Sequence, residues 1–242
     1  MATTFTIVMP VFDGVDLLDL AGAREMFFWA GQSSRFPEGL RIVQHTVANA
    51  PMVTTQDGLT IRPSRRFDSA DVQAPQMIWV PGGSLDALPG LLSHPDGPFF
   101  QYVLRVGRQA DLVASVCEGA LLLAKTGLLD GFRATTHWLF YPCLETYPEV
   151  EVVPPSGPAD DLAFPHYVWD ERDGEKRVTG GGVSSGLDEA LSVIQTVWGE
   201  AVAEDTQRST QYFPNPPVSA TLSAATGCPI AMPDTPQTQP RG

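Results

Sequence analysis

A chain of 242 residues with 43% apolar and 18% charged residues is long enough to bury one large core, and this composition excludes a disordered or fibrous protein. The net charge of −13, spread over scattered acidic residues, would repel a phosphate backbone, so no nucleic-acid partner is expected. The opening MATTFTIVMPVFDG has no basic leader, and its apolar run is too short for a signal peptide or a spanning helix; a cytoplasmic protein with no membrane partner is expected.

Short apolar runs alternate with stretches of helical pattern. FTIVMP (5–10) predicts a buried strand, and LLDLAGAREMFFWAG (17–31) a helix ending at a glycine. LRIVQHTV predicts a second strand, and MVTTQDGLTIRP a β-hairpin about its Asp-Gly turn. QMIWVPGG (76–83) is a strand running into a glycine turn, and PFFQYVLRVGRQA (98–110) a helix leading to the strand DLVASV. Continuous hydrophobic strands in β-α-β order imply a doubly wound α/β fold, with a mostly parallel sheet flanked by helices.

Beyond ALLLAKTGLLDG the pattern gives a short strand RATTH, a helical WLFYPCLETYP, and strands VEVVP, HYVWD and KRVTGG, the last two joined through RDG. SSGLDEALSVIQTVWGEAVAEDTQRSTQYF predicts one long helix, with Ser185 and Asp188 spaced as a capping box. From Pro214 the chain is rich in proline, serine, threonine and alanine. Residues 1–217 are therefore expected to form the domain and 218–242 a low-complexity tail, mobile and carrying Cys228.

Cys117, Cys143 and Cys228 have neither disulfide-scaffold nor zinc spacing, so free thiols and no metal site are expected. Cys143 lies inside a helical pattern, where packing is its expected role. Cys117 is different: it falls where the strand LVASV meets a helix beginning near Gly119. Ligands of doubly wound sheets bind at such carboxyl-end turns, and a helix N-terminus favours a low-pKa, reactive thiolate. On the residues alone, Cys117 is either a nucleophile on a sharp elbow or a small apolar core residue.

Together DLLDLAGARE, IWVPGG, SVCEGALLLAKTGLLDG, RATTHW and VTGGGVSSGLDEAL, in this order, resemble the ThiJ/PfpI superfamily of class I glutamine amidotransferase-like proteins. Within it the resemblance is greatest to the isocyanide hydratases. That resemblance implies a flavodoxin-like fold, a homodimer, a small-molecule substrate and no cofactor. It makes Cys117 the nucleophile and Asp19 its acid partner; as a first-turn aspartate Asp19 could instead cap the helix, but Asp16 is the stronger cap. Gly82 and Gly83 are candidate oxyanion-type donors, or an ordinary turn. His137 invites a Cys/His dyad, although a pocket or structural role suits its position after another strand better. Gly182, in TGGGVSSG, would form a backbone wall near the site.

Two departures bear on the substrate. Glu118 stands where isocyanide hydratases have a threonine, and PSGPADDLAFP (155–165) looks like an insertion. Glu118 is expected to be ionised and to reach solvent or a basic partner. The expected activity is hydration of an isocyanide to an N-substituted formamide through a thioimidate. The alternatives are a glyoxalase- or amidase-like hydrolase on the same scaffold, and a redox-sensing or ligand-binding domain without catalysis. Relatives that are DNA-binding regulators carry a helix-turn-helix after this domain, and the tail here has no such pattern.

Overall fold

The computed structural model describes residues 3–233. Strand β1 (Thr3–Pro10) leads through a short loop into α1 (Leu17–Ala30), and β2 (Leu40–Ala48) returns beside it. A small hairpin, β3 (Val53–Thr54) and β4 (Thr60–Ile61), and an edge strand, β5 (Arg65–Arg66), follow. Next come β6 (Met77–Val80), α2 (Ala87–Leu92), α3 (Pro98–Gly107), β7 (Leu112–Ser115) and α4 (Gly119–Lys125). The chain ends through β8 (Arg133–Ala134), α5 (Tyr141–Leu144), β9 (Glu151–Val152), β10 (Tyr167–Arg172), β11 (Glu175–Gly180), α6 (Ser185–Trp198) and α7 (Glu200–Thr210).

Seven strands form one sheet in the order β10-β11-β7-β6-β1-β2-β5, parallel throughout except at β10. This is the expected doubly wound α/β architecture. Alternation along each strand splits the core in two. Val8, Ile78, Val80 and Val113 face the layer of α3, α4 and α5, while Ile7, Met9, Met77, Trp79 and Val116 face α1 and α6. Strand order reverses beside β1, so the loops after β1, β6, β7 and β11 gather at one carboxyl edge, where ligands of such sheets bind.

Short-range chemistry sets the ends and turns of several elements as expected. Asp16 caps α1 by accepting from the N–H groups of Leu18 and Asp19 at 2.9 and 3.2 Å. The Asp-Gly turn joins β3 to β4 in antiparallel register, and Asp173-Gly174, both at positive φ, joins β10 to β11. Two helix expectations change. Gly199, at φ 96°, breaks the long helix into α6 and α7. The Ser185/Asp188 capping box does not form: Ser184 holds the cap position without a side-chain hydrogen bond, and Asp188 instead meets His166 Nδ1 at 2.6 Å.

The expected free thiols are also corrected, because Cys143 and Cys228 form a disulfide and Cys117 is the one free cysteine. The segment after α7 folds back over the domain instead of moving freely with Cys228, burying Ile230 beside Phe140, Cys143 and Leu144. Apolar burial near the bond explains why a low-complexity stretch keeps a place. Residues 234–242 of the expected tail lie outside the described residues. Among the described residues no helix is long and apolar enough to cross a membrane.

Candidate active site

Cys117 stands between β7 and α4 with φ at 59°, in the left-handed region that a non-glycine residue enters at a cost of about 1–3 kcal/mol. Its neighbours hold it there. The Cys117 N–H donates to the carbonyls of Gly181 and Gly180 at 2.9 and 3.2 Å, and the Thr136 hydroxyl donates to the Cys117 carbonyl at 2.8 Å. Gly119 allows the turn to close onto β6, since a Cβ there would lie 2.0 Å from the Val80 carbonyl oxygen. The thiol is buried beneath this turn, only 3% exposed.

Two carboxyl groups converge on it. Asp19 arrives from the first turn of α1 and Glu118 from the residue after the cysteine; both are buried, and one oxygen of each lies within 4.8 Å of the other and of the sulfur. The Gly82 N–H donates to Asp19 Oδ2 at 2.8 Å, and the Gly83 N–H to Glu118 Oε2 at 3.3 Å. Those two N–H groups, candidate oxyanion-type donors or an ordinary turn on the sequence, are engaged here by the acids. The Trp79 indole fixes Asp19 from below by donating to its backbone carbonyl at 3.0 Å. Asp19 Oδ1 has no hydrogen-bond partner among the described residues, which leaves one acid oxygen uncommitted.

Burial raises all three groups above their ordinary ranges. For Asp19 the charges of Asp16 and Glu118 push in the same direction, partly offset by the hydrogen bonds of Gly82 and Cys117. For Cys117, Asp19 and Glu118 add to burial, and the thiol's hydrogen bond to Glu118 stabilises its protonated form. The expected low-pKa thiolate is therefore corrected: desolvation and two acids outweigh the helix N-terminus. Glu118 is likewise only 6% exposed and its pKa is raised by burial, so the expected solvent-reaching side chain is corrected to a buried one. Three acidic groups without a cation among them cannot all ionise together; the cluster stores protons. It also offers two oxygens and a sulfur in reach of one cation, although one oxygen of each acid is already engaged by a glycine N–H.

His137 does not enter this cluster. Its Nδ1 accepts from the Leu139 N–H at 3.3 Å, its ring lies against Gly182, and burial lowers its pKa. A neutral ring bonded this way carries its proton on Nε2. His137 and Gly182 instead wall a cavity of about 540 Å³, together with Thr136, Leu162, Phe164 and Leu222. Cys117 is not part of that lining, but Gly181, whose carbonyl accepts its N–H, is. The 155–165 segment thus contributes a wall beside the nucleophile turn.

Sequence reasoning missed Glu189 on α6. It is fully buried, neither carboxyl oxygen has a hydrogen-bond partner among the described residues, and Oε2 would lie 2.1 Å from a Cβ on Gly180. A signal was available: Glu189 sits three residues after Gly186 and four before Val193, on the helix face those residues bury.

Comparison with known proteins agrees with this geometry. Residues 6–172 match the DJ-1/PfpI family. The chain is 35% identical over 165 residues to "Isonitrile hydratase" of Pseudomonas putida, covering 68% of this chain and 63% of that protein. It is 31% identical over 143 residues to "HTH-type transcriptional regulator GbdR" of Pseudomonas aeruginosa, covering 58% of this chain and 36% of the regulator. It therefore spans less than two thirds of either relative. Among solved structures, a THiJ/PfpI family protein from Pseudomonas syringae superposes with a TM-score of 0.71 at 29% identity, over 90% of this chain and 78% of that one. With its ordered motifs, its parallel sheet and the cysteine turn at the sheet's carboxyl edge, the chain belongs to the DJ-1/PfpI family.

Proposed function

We propose that this protein hydrates an isocyanide to the corresponding N-substituted formamide. The observation that carries the reading is the buried cluster of Cys117, Asp19 and Glu118, with Asp19 held toward the sulfur by the Gly82 N–H. Similarity to an isonitrile hydratase supports it.

The chemistry needs a nucleophile and two mobile protons, one for the carbon and one for the nitrogen. The Cys117 sulfur attacks the terminal carbon of R–N≡C as its proton passes to the Glu118 carboxylate, forming the C–S bond and leaving a lone pair on that carbon. A carboxyl proton from Asp19 quenches the lone pair and gives the thioimidate R–N=CH–S. Water then adds to the same carbon, with Asp19 accepting a proton from the water while the proton taken from the thiol passes from Glu118 to the nitrogen. The C–S bond breaks as the carbonyl forms, releasing R–NH–CHO and returning the sulfur and its proton to the cluster. An acid raised by burial is suited to this work, because burial favours the protonated form that the first step draws on.

The test is formamide production from a panel of small isocyanides, by chromatography, with Cys117→Ser as control. Turnover that disappears in the control supports the reading; no formamide from any isocyanide refutes it. Likeness to GbdR favours a second reading, a ligand-binding domain without turnover. A peroxide-sensing role is less well supported, since oxidation follows thiolate character and the Cys117 thiol is pushed up by burial.

A further inference from the structure

Residues 214–233 follow α7 without helix or strand, and most are exposed, including Val218 at 75%. A proline-rich stretch of this kind keeps one path only where it is pinned. Three pins are present. The Leu222 carbonyl accepts from the Leu162 N–H at 2.7 Å, Cys228 is bonded to Cys143 of α5, and Ile230 is buried against the same helix. The segment therefore passes from the helix layer of α7 to that of α5, and at its first pin Leu222 joins Leu162 in the wall of the cavity.

We propose that residues 214–233 are a disulfide-latched wall of the substrate pocket, in which Leu222 and Leu162 set the size of group the pocket admits, and that opening Cys143–Cys228 widens it. Leu162 itself belongs to the 155–165 segment, so two stretches outside the core motifs meet at one backbone hydrogen bond to build this wall. The latch joins residues 85 apart in sequence, and with the bond open the segment is left to weaker restraints, that hydrogen bond and the apolar packing of Ile230 and Met232. Opening it takes a dithiol. One reductant thiolate attacks the Cys228 sulfur, which is partly exposed while Cys143 is fully buried, and Cys143 leaves. The second reductant thiol then resolves the mixed disulfide. Two electrons and two protons pass to the protein as two thiols, and the reductant becomes a disulfide.

That the admitted group is the substituent on an isocyanide nitrogen rests on the hydratase reading; the wall and the latch do not. Two measurements separate them. The first is the ratio of kcat/KM for benzyl isocyanide to that for methyl isocyanide. The second, independent of turnover, is the ratio of Cys117 alkylation rates with N-benzyl iodoacetamide and with iodoacetamide. Both are taken for the oxidised wild type, the Cys143→Ser/Cys228→Ser double variant, Leu222→Ala and Leu222→Trp. The expected result is a bulky-to-small ratio raised about tenfold in Leu222→Ala and in the double variant, and lowered in Leu222→Trp, the scale on which a pocket discriminates small changes in apolar size. Alkylation ratios that are equal in all four proteins overturn the wall. Intact mass of the unreduced, alkylated protein showing Cys143 and Cys228 as thiols overturns the latch. Absence of isocyanide turnover with alkylation ratios that shift as stated refutes only the hydratase reading.

Discussion

The Gly82 N–H donates to Asp19 Oδ2 at 2.8 Å, tying the loop after β6 to the first turn of α1 directly beside the Cys117 sulfur. One bond thus locks two neighbouring strand ends together and leaves the other acid oxygen uncommitted. An acid fixed by a backbone donor keeps its orientation whatever its protonation state, which a proton carrier requires.

Asp19→Asn tests that division of labour. An amide oxygen can still accept from Gly82, and Asp16 remains to cap α1, so the melting temperature should stay within a few degrees of wild type. Isocyanide turnover should fall by about 100-fold or more, the scale of a lost general acid/base. A large drop in melting temperature with a matching loss of activity would make Asp19 a structural residue.

Glu118→Thr addresses the thiol. Glu118 raises the Cys117 pKa both by its charge and by accepting a hydrogen bond from the protonated sulfur, so removing it should lower that pKa. The pH profile of Cys117 alkylation should shift to lower pH in the variant. A shift the other way would mean that Glu118 donates its own proton to the thiolate.

Gly82→Ala probes how tightly the cluster is built. The new Cβ would lie 2.3 Å from Glu118 Oε2 and 2.8 Å from the Glu118 nitrogen, and backbone cannot move aside cheaply. Overpacking of this kind costs about 1–3 kcal/mol, or several degrees in melting temperature for a chain of this size. Gly90→Ala, inside α2 with nothing within 4 Å, is the control and should melt at or slightly above wild type. Equal melting temperatures for the two variants would show that the loop after β6 yields.

Most of the scaffold was readable because it depends on short-range signals. The Asp16 cap, the two hairpin turns and the strand leading to Cys117 each follow from residues within a few positions of one another. What escaped depends on the path of the chain. Cys143 and Cys228 are 85 residues apart, and only the fold shows that the tail returns to α5. The burial of Glu118 could not be foreseen from its place after an elbow, because the loop that covers it, at Gly82 and Gly83, comes from another strand. The break at Gly199 turned on a positive φ that a single glycine in a helical pattern does not announce.

Glu189 offers the cleanest link between burial and pH. Burial, and after it the charge of Asp19, raises its pKa well above the ordinary glutamate value, whereas in the unfolded chain it titrates near about 4.3. Above that pH the unfolded state gives up this proton while the folded state keeps it. The folded state then binds more protons than the unfolded one, so stability falls as pH rises, until the folded carboxyl also titrates. Asp19 and Glu118 act with the same sign, and a comparison at one site separates them. Glu189→Gln keeps the shape of the protonated acid and removes its titration. In urea unfolding the variant should match wild type near pH 4 and exceed it increasingly toward pH 8, while the shared dependence from Asp19 and Glu118 remains in both proteins. A constant difference between the two across that range would place the ionisation of Glu189 outside the folding equilibrium and leave Asp19 and Glu118 as the source of any slope.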